Sequence, residues 1–155
     1  MDVHIRNAVS EDASGIASLI RGLGLFAEIA AEPLDATVAR IAAPLEDAES
    51  RTHHAVFVAE AGGEIVGFAA LHILPYFIRK GAEGYISELF VRASARGGGI
   101  GAALLHAATE EARRRGCFRL RLLNVKQRES YQRRFYAKNG WKEWEDAATF
   151  LYDLA

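Results

Sequence analysis

Arg96-Gly97-Gly98-Gly99-Ile100-Gly101 sets three consecutive glycines and an arginine between an apolar run ending at Val91 and an amphipathic stretch of helical spacing. A strand, a glycine turn and a helix start make an anion site from backbone alone. The first N–H groups of a helix have no partner within it, and the aligned peptide dipoles add partial positive charge there. Glycines let the chain approach a phosphate closely and turn successive N–H groups inward. Arg96 adds a permanent forked cation beside them.

Other phosphate-binding patterns fit less well. A Walker loop requires Gly-Lys-Ser/Thr, which this turn lacks. Gly97-Gly98-Gly99-Ile100-Gly101-Ala102 satisfies a dinucleotide fingerprint formally, but that fingerprint is answered by an acid about 20 residues on. Cys117–Leu123 holds none. His53, His54 and His72 have no spacing that suits a metal, His106 reads as a packing or surface residue, and no metal is expected. The single cysteine, Cys117, excludes an internal disulfide and reads as a buried structural thiol.

The elements that must position this turn are legible from periodicity. Val3 to Ala8 alternates as a first strand, Ser10 opens a helix, and Gly22 and Gly24 end it. A second helix is expected from near Pro33, kinked or restarted at Pro44. His54 to Ala61, Gly62-Gly63 and Glu64 to Ile73 read as a hairpin. A strand from about Glu83 to Val91 leads into the turn, a helix follows to Arg115, and Cys117 to Val125 is the next strand. A helix from about Arg128 to Lys138 and two last strands, Trp141–Trp144 and Thr149–Leu154, complete the chain. The order β-α-α-β-β-β-α-β-α-β-β implies a parallel strand pair around the glycine-turn helix within a mixed sheet.

The chain has 155 residues and a formal net charge of -1, so no global attraction to nucleic acid or to an anionic membrane is expected. No run reaches the length of a membrane span, and from its charged start no secretory leader is expected. The charge is nonetheless divided. Residues 1–75 are mainly acidic, and residues 113–142 carry arginine and lysine throughout against Glu129 alone. A basic half suits a polyanionic ligand, an acidic half a cationic one, and both also suit plain solvated faces.

Three motifs, in this order and spacing, carry a family resemblance. Ile5-Arg6-Asn7-Ala8 with Asp12, then Ile86-Ser87-Glu88-Leu89-Phe90-Val91 running into Arg96–Gly101, then Phe135-Tyr136-Ala137-Lys138-Asn139-Gly140-Trp141, resemble the opening, central and late motifs of the GNAT N-acetyltransferases. The resemblance spans nearly the whole chain. It implies one domain over residues 1–155, of the α/β (α+β) class, with a central mixed sheet of six to seven strands flanked by about four helices.

The resemblance also implies a reaction: acetyl passes from acetyl-CoA directly to a primary amine of a small molecule or peptide. Arg96, Gly97, Gly98, Gly99, Ile100, Gly101 and Ala102 would hold the pyrophosphate. The backbone of Leu89, Phe90 and Val91 would hold pantetheine where the strands splay, with the Val91 N–H polarising the thioester carbonyl. An alkylammonium must lose a proton before it attacks, and Glu88 is the candidate base. Some relatives carry that acid one residue earlier, where this chain has Ser87. Tyr136 is the candidate acid for the CoA thiolate. Where many members place an asparagine contacting CoA this chain has Glu129, with Asn124 and Arg128 as nearby polar alternatives and Asn124 the one assigned to the cofactor.

Two other classes of function compete with this reading. One is a non-catalytic acyl-CoA sensor or partner domain of the same fold, and the other is a nucleotide-binding enzyme of a different class. The acidic half raises the expectation of a cationic acceptor. The apolar connection Pro75–Lys80 suits an acceptor pocket or a homodimer interface. A cytoplasmic location is the default expectation.

Overall fold

The structure, a computed structural model, describes residues 2–50 and 53–154. Its contacts group into two compact units, Met1–Leu123 and Asn124–Ala155.

The first unit is a five-stranded sheet with helices on both faces. β1 (His4–Asn7), β2 (His54–Ala61), β3 (Glu64–Pro75), β4 (Ala82–Val91) and β5 (Cys117–Leu122) lie side by side in chain order. The first three pairings are antiparallel, and β4–β5 is parallel. That parallel pair is joined by α4 (Ile100–Arg114), the crossover that the strand–turn–helix–strand order anticipates. The remaining helices of this unit are α1 (Ala13–Gly22), α2 (Ala27–Ala31) and α3 (Leu34–Ser50).

Each face of the sheet is covered because β2 and β3 are apolar on both sides. Leu104, Leu105, Ala108 and Ala112 of α4 are buried on one face, and each large one is worth about 2 kcal/mol of stability. On the other face Ile16 and Leu19 of α1 and Leu45 of α3 pack with Val58, Ile65 and Phe68. Pro44 is exposed within α3, and the helix continues through it rather than restarting.

The opening motif is a staple. The Arg6 guanidinium donates to both Asp12 oxygens at 2.7 and 2.8 Å and to Glu60 of β2 at 2.9 Å. Asp12 also accepts the Val9 N–H at 2.9 Å. One arginine thus ties the first strand, the entry to α1 and the second strand together. The Arg6 cation holds the Asp12 carboxyl below the usual carboxylate range, against a burial effect of opposite sign.

The second unit departs from the sequence reading. The helix expected over Arg128–Lys138 is two short ones, α5 (Glu129–Gln132) and α6 (Phe135–Lys138), because Arg134 between them is left-handed at φ 57°. The strands expected at Trp141–Trp144 and Thr149–Leu154 do not form, so the sheet has five strands rather than six or seven. Apolar, aromatic-rich segments suit a strand, and a strand needs in addition a partner for its N–H and C=O groups. Phe150, Leu151, Tyr152 and Leu154 are almost fully exposed instead. Among the described residues no helix is long and apolar enough to cross a membrane.

Candidate active site

The glycine turn has the geometry of a cradle. Gly97 and Gly99 have φ of 87° and 81°, a region where L side chains are strained, and Gly99 caps α4. A Cβ placed at Gly97, Gly98 or Gly99 would meet no atom within 4 Å, so the missing side chains leave open approach rather than making room for packing. The first i→i−4 bond of the helix runs from Ala103 N–H to the Gly99 carbonyl at 3.0 Å. The N–H groups of Ile100, Gly101 and Ala102 therefore head the helix with no acceptor inside it. Ile100 is buried and anchors the turn with its side chain, leaving its N–H as what it can offer a ligand. Arg96 folds back, its Nε donating to the Val91 carbonyl at 3.1 Å, which couples the cation to the end of β4.

Beside the cradle the sheet opens. β4 pairs with β5 only from Ala82 to Ile86, where Ile86 lies opposite Leu122. β4 itself continues to Val91. The Arg92 N–H donates to the Val66 carbonyl of β3 at 2.8 Å. Because backbone groups alternate sides along a strand, Phe90 also faces β3, while Leu89 and Val91 face the side that β5 has left. Two N–H donors thus line the opening, and the Val91 carbonyl on that side receives Arg96. Phe90 stands differently from its neighbours. Its ring packs against Phe26 at 5.7 Å and Phe68 at 5.9 Å, in the wall on the α1 and α3 side.

At the same point β4 slips against β3. Ala70 lies opposite Glu88 and Leu71 opposite Ile86, so Ser87 is an extra residue, a β-bulge. Consecutive residues of a regular strand point to opposite faces, and a bulge brings them toward one. Accordingly Ser87 and Glu88 meet: the Ser87 hydroxyl donates to Glu88 Oε2. His72 of β3 completes the group, with its Nε2 2.6 Å from Ser87 Oγ. Behind His72, the His54 ring of β2 stands edge-on at 5.3 Å, and its Nε2 is 2.5 Å from Asp47 Oδ2 of α3. Burial pushes the His72 imidazole below its usual value, opposed by the Glu88 carboxylate and reinforced by His54.

Sequence reasoning reached Glu88 and missed His72 and Ser87, whose available signal was a polar residue inside each of two apolar strands. It missed Glu83 too. This carboxylate is fully buried at the start of β4 and takes Arg119 and, at 2.8 Å, Arg121 from β5. The alternation of Arg119 and Arg121, two residues apart on one strand face, was the signal for it. These pairs hold β4 to β5 just below the opening. Cys117, expected to be buried, is only partly so, and that partial burial pushes its thiol up.

Tyr136 and Asn124 belong to the second unit. Tyr136 is half-buried between Phe135 at 5.0 Å and Trp141 at 6.1 Å. The Trp141 N–H donates to the Tyr136 carbonyl at 3.0 Å, closing the turn that the late motif encodes. Burial pushes the Tyr136 hydroxyl up, so it keeps its proton through the neutral range. Asn124 accepts the Ser130 hydroxyl at 2.9 Å.

A polar cleft of about 550 Å³ lies elsewhere in the first unit, lined by Arg6, Asp12, Glu60, Glu64 and Arg92 among others. Both of its arginines are spent on carboxylates of the same cleft, Arg6 on Asp12 and Glu60, and Arg92 on Glu64 at 2.6 Å. The chemistry-bearing groups of β4 do not line it.

A mixed sheet that opens beside a glycine-headed helix offers an anion site next to the N–H donors of an open strand edge. The model of the acetyltransferase (GNAT) family matches residues 25–141, and the chain belongs to that family. It is 31% identical to an aminoalkylphosphonate N-acetyltransferase of Salmonella typhimurium over 90% of this chain and 84% of that one. It is 33% identical to a glucosamine 6-phosphate N-acetyltransferase of Oryza sativa, over 83% of this chain and 78% of that one. A crystal structure of an acetyltransferase of Trypanosoma brucei superposes with a TM-score of 0.76 at 29% identity, covering 99% and 100% of the two chains. The protein is an acetyltransferase.

Proposed function

We propose that this enzyme moves the acetyl group of acetyl-CoA directly to the primary amine of a small molecule. The observation that carries the reading is the end of the β4–β5 ladder at Ile86, immediately beside the open glycine cradle. Gly97, Gly98, Gly99 and the N–H groups of Ile100, Gly101 and Ala102 hold the pyrophosphate, with Arg96 adjacent. Leu89 and Val91 hold the pantetheine amides in the opening, and the Val91 N–H donates to the thioester oxygen as negative charge develops on it.

Glu88 takes the proton from the acceptor ammonium, and the freed nitrogen lone pair attacks the acetyl carbon. As the carbon–sulfur bond breaks, the Tyr136 hydroxyl donates its proton to the departing sulfur, and the second proton that the attacking nitrogen loses in becoming an amide passes to solvent, from which Tyr136 is reprotonated. Asn124 is assigned to the cofactor side. In this reading residues 1–155 act as one catalytic domain.

Two relatives are named for acceptors that join an amine to a phosphate or phosphonate, which supports a small anionic amine ahead of a peptide or a polycation. A cytoplasmic location accompanies the use of acetyl-CoA. A homodimer is supported by Phe77 and Ile78, which stand almost wholly in solvent in the Pro75–Lys80 connection. The test is release of CoA thiol with a panel holding aminoalkylphosphonates, glucosamine 6-phosphate, a polyamine and a lysine peptide. Turnover with a small amine supports the reading; no turnover together with no acetyl-CoA binding overturns it.

A further inference from the structure

His72, Ser87 and Glu88 are three polar residues from two apolar strands, joined in one hydrogen-bonded row. A carboxylate only accepts, so the Ser87 hydroxyl proton points to Glu88. The Ser87 oxygen must then receive the proton on His72 Nε2. This fixes the neutral imidazole as the Nε2–H tautomer, with Nδ1 bare. The row runs in one direction, from imidazole N–H to hydroxyl to carboxylate, and each bond polarises the next.

We propose that His72, acting through Ser87, is a positioning residue for Glu88 and that the protonation of this imidazole sets the lower pH limit of acetyl transfer. The proposal rests on the reading of Glu88 as the base. Two physical effects support it. The bulge that brings Ser87 and Glu88 to one side leaves the Glu88 side chain at an irregular point of the strand, where backbone pairing alone does not hold it. The bond from Ser87 supplies that restraint. The second effect is electrostatic: an imidazolium two hydrogen bonds away stabilises the carboxylate and makes it a poorer proton acceptor.

The charged and titratable groups around His72 are His54 on β2, Glu88 on β4 and, behind His54, Asp47 on α3. Burial and His54 lower the imidazole, and Glu88 raises it. The net lowering keeps His72 neutral at neutral pH. During turnover the acceptor N–H bond breaks, its proton passes to a Glu88 oxygen, and no other bond in the row is made or broken.

The test has one arm that needs no turnover. The His72 ring is titrated by NMR in the wild-type chain and in Glu88→Gln, the signal being assigned with His72→Gln. The His72 value is expected to fall by about 1 pH unit in Glu88→Gln, because the carboxylate that favours imidazolium has gone. In Ser87→Ala the two groups lose the bond that joins them, and the same Glu88→Gln change is expected to move His72 less. An unchanged His72 titration in Glu88→Gln overturns the proposal.

The second arm is the pH profile of kcat/KM. Wild-type activity is expected to fall at the acid side with the value measured for His72. His72→Ala is expected to lose about 10- to 100-fold in kcat with KM for acetyl-CoA unchanged. His72→Gln, whose amide still donates to Ser87, is expected to recover most of kcat while its acid limb moves to lower pH. An acid limb that superposes on the wild type in His72→Gln overturns the role of His72 and leaves N-acetyl transfer standing. Absence of turnover with every amine overturns the reading of the base, and the NMR arm still decides the coupling.

Discussion

Gly98→Ala separates a ligand cradle from a tight turn. At Gly97 and Gly99 an added methyl group is strained by φ near +80°, at a cost of about 1–2 kcal/mol each. For a domain of this size that lowers Tm by about 2–8 °C. Gly98 lies outside the positive-φ region, and its Cβ would touch nothing within 4 Å. Alanine there also restricts the unfolded chain, so Tm is expected to hold or rise by up to about 3 °C. The methyl group nevertheless stands where the backbone N–H groups would meet a phosphate. Displacing one charge-assisted hydrogen bond of about 1.5–3 kcal/mol raises KM for acetyl-CoA by about 10- to 100-fold. Thermal melts and thiol-release kinetics on Gly97→Ala, Gly98→Ala and Gly99→Ala read both quantities. A Gly98→Ala enzyme with wild-type Tm and wild-type KM refutes the cradle, because a turn that merely joins strand to helix predicts that pair of values.

Tyr136→Phe is expected to lower kcat about 10- to 100-fold, leave acetyl-CoA affinity unchanged and remove any loss of kcat at high pH; stopped-assay profiles from pH 6 to about 10 check it. Asp12→Asn breaks a largely buried ion pair and is expected to cost about 3 kcal/mol, read by urea unfolding. Its pH dependence has a definite sign. The folded Asp12 value lies below the unfolded one, so its stabilisation is complete above the ordinary aspartate value and is lost as pH falls through the folded value. Asp12→Asn should flatten the wild-type decline in that acid window. Glu83→Gln leaves Arg119 and Arg121 facing a neutral amide and is expected to cost about 2 kcal/mol, the arginines being partly solvated, measured as a lower Tm.

The elements around the cradle were legible because they are local. The hairpin over β2 and β3 announces itself by Gly62-Gly63, and α4 by its glycine start and by Ile100, Leu104 and Ala112 at helical spacing, all three buried. The parallel pair followed from the order of elements alone. What stayed illegible depends on register, which a single strand does not carry. Nothing in Ile86-Ser87-Glu88 shows that β4 slips against β3 there, so the meeting of two consecutive side chains could not be read, nor could the arrival of His72 from fifteen residues upstream. The helix expected at Arg128–Lys138 failed for a comparable reason. Arg128, Glu129, Gln132, Arg133, Ala137 and Lys138 are good helix formers, and the left-handed Arg134 is a conformation that propensity disfavours. The trailing strands failed because the apolar residues of Thr149–Leu154 supply no partner for the backbone groups of a strand.

The two irregularities of β4 fall on neighbouring residues, and each requires the other. Up to Ile86 the strand is held on both sides, by β3 and by β5, with Glu83 tied to Arg119 and Arg121 across the second pairing. Beyond Ile86 the β5 side opens and its backbone donors can turn to a ligand. A strand held on one side alone would be free to slide by a residue and reverse every side chain. The bulge at Ser87 resists that, because a slip would move the extra residue away from His72 and break the row to Glu88. The same slip would carry Val91 away from Arg96 and so uncouple the strand end from the glycine cradle. The polar row on one face and the arginine on the open edge thus keep one register, and that register places the carboxylate and the Val91 N–H on a single short stretch of chain.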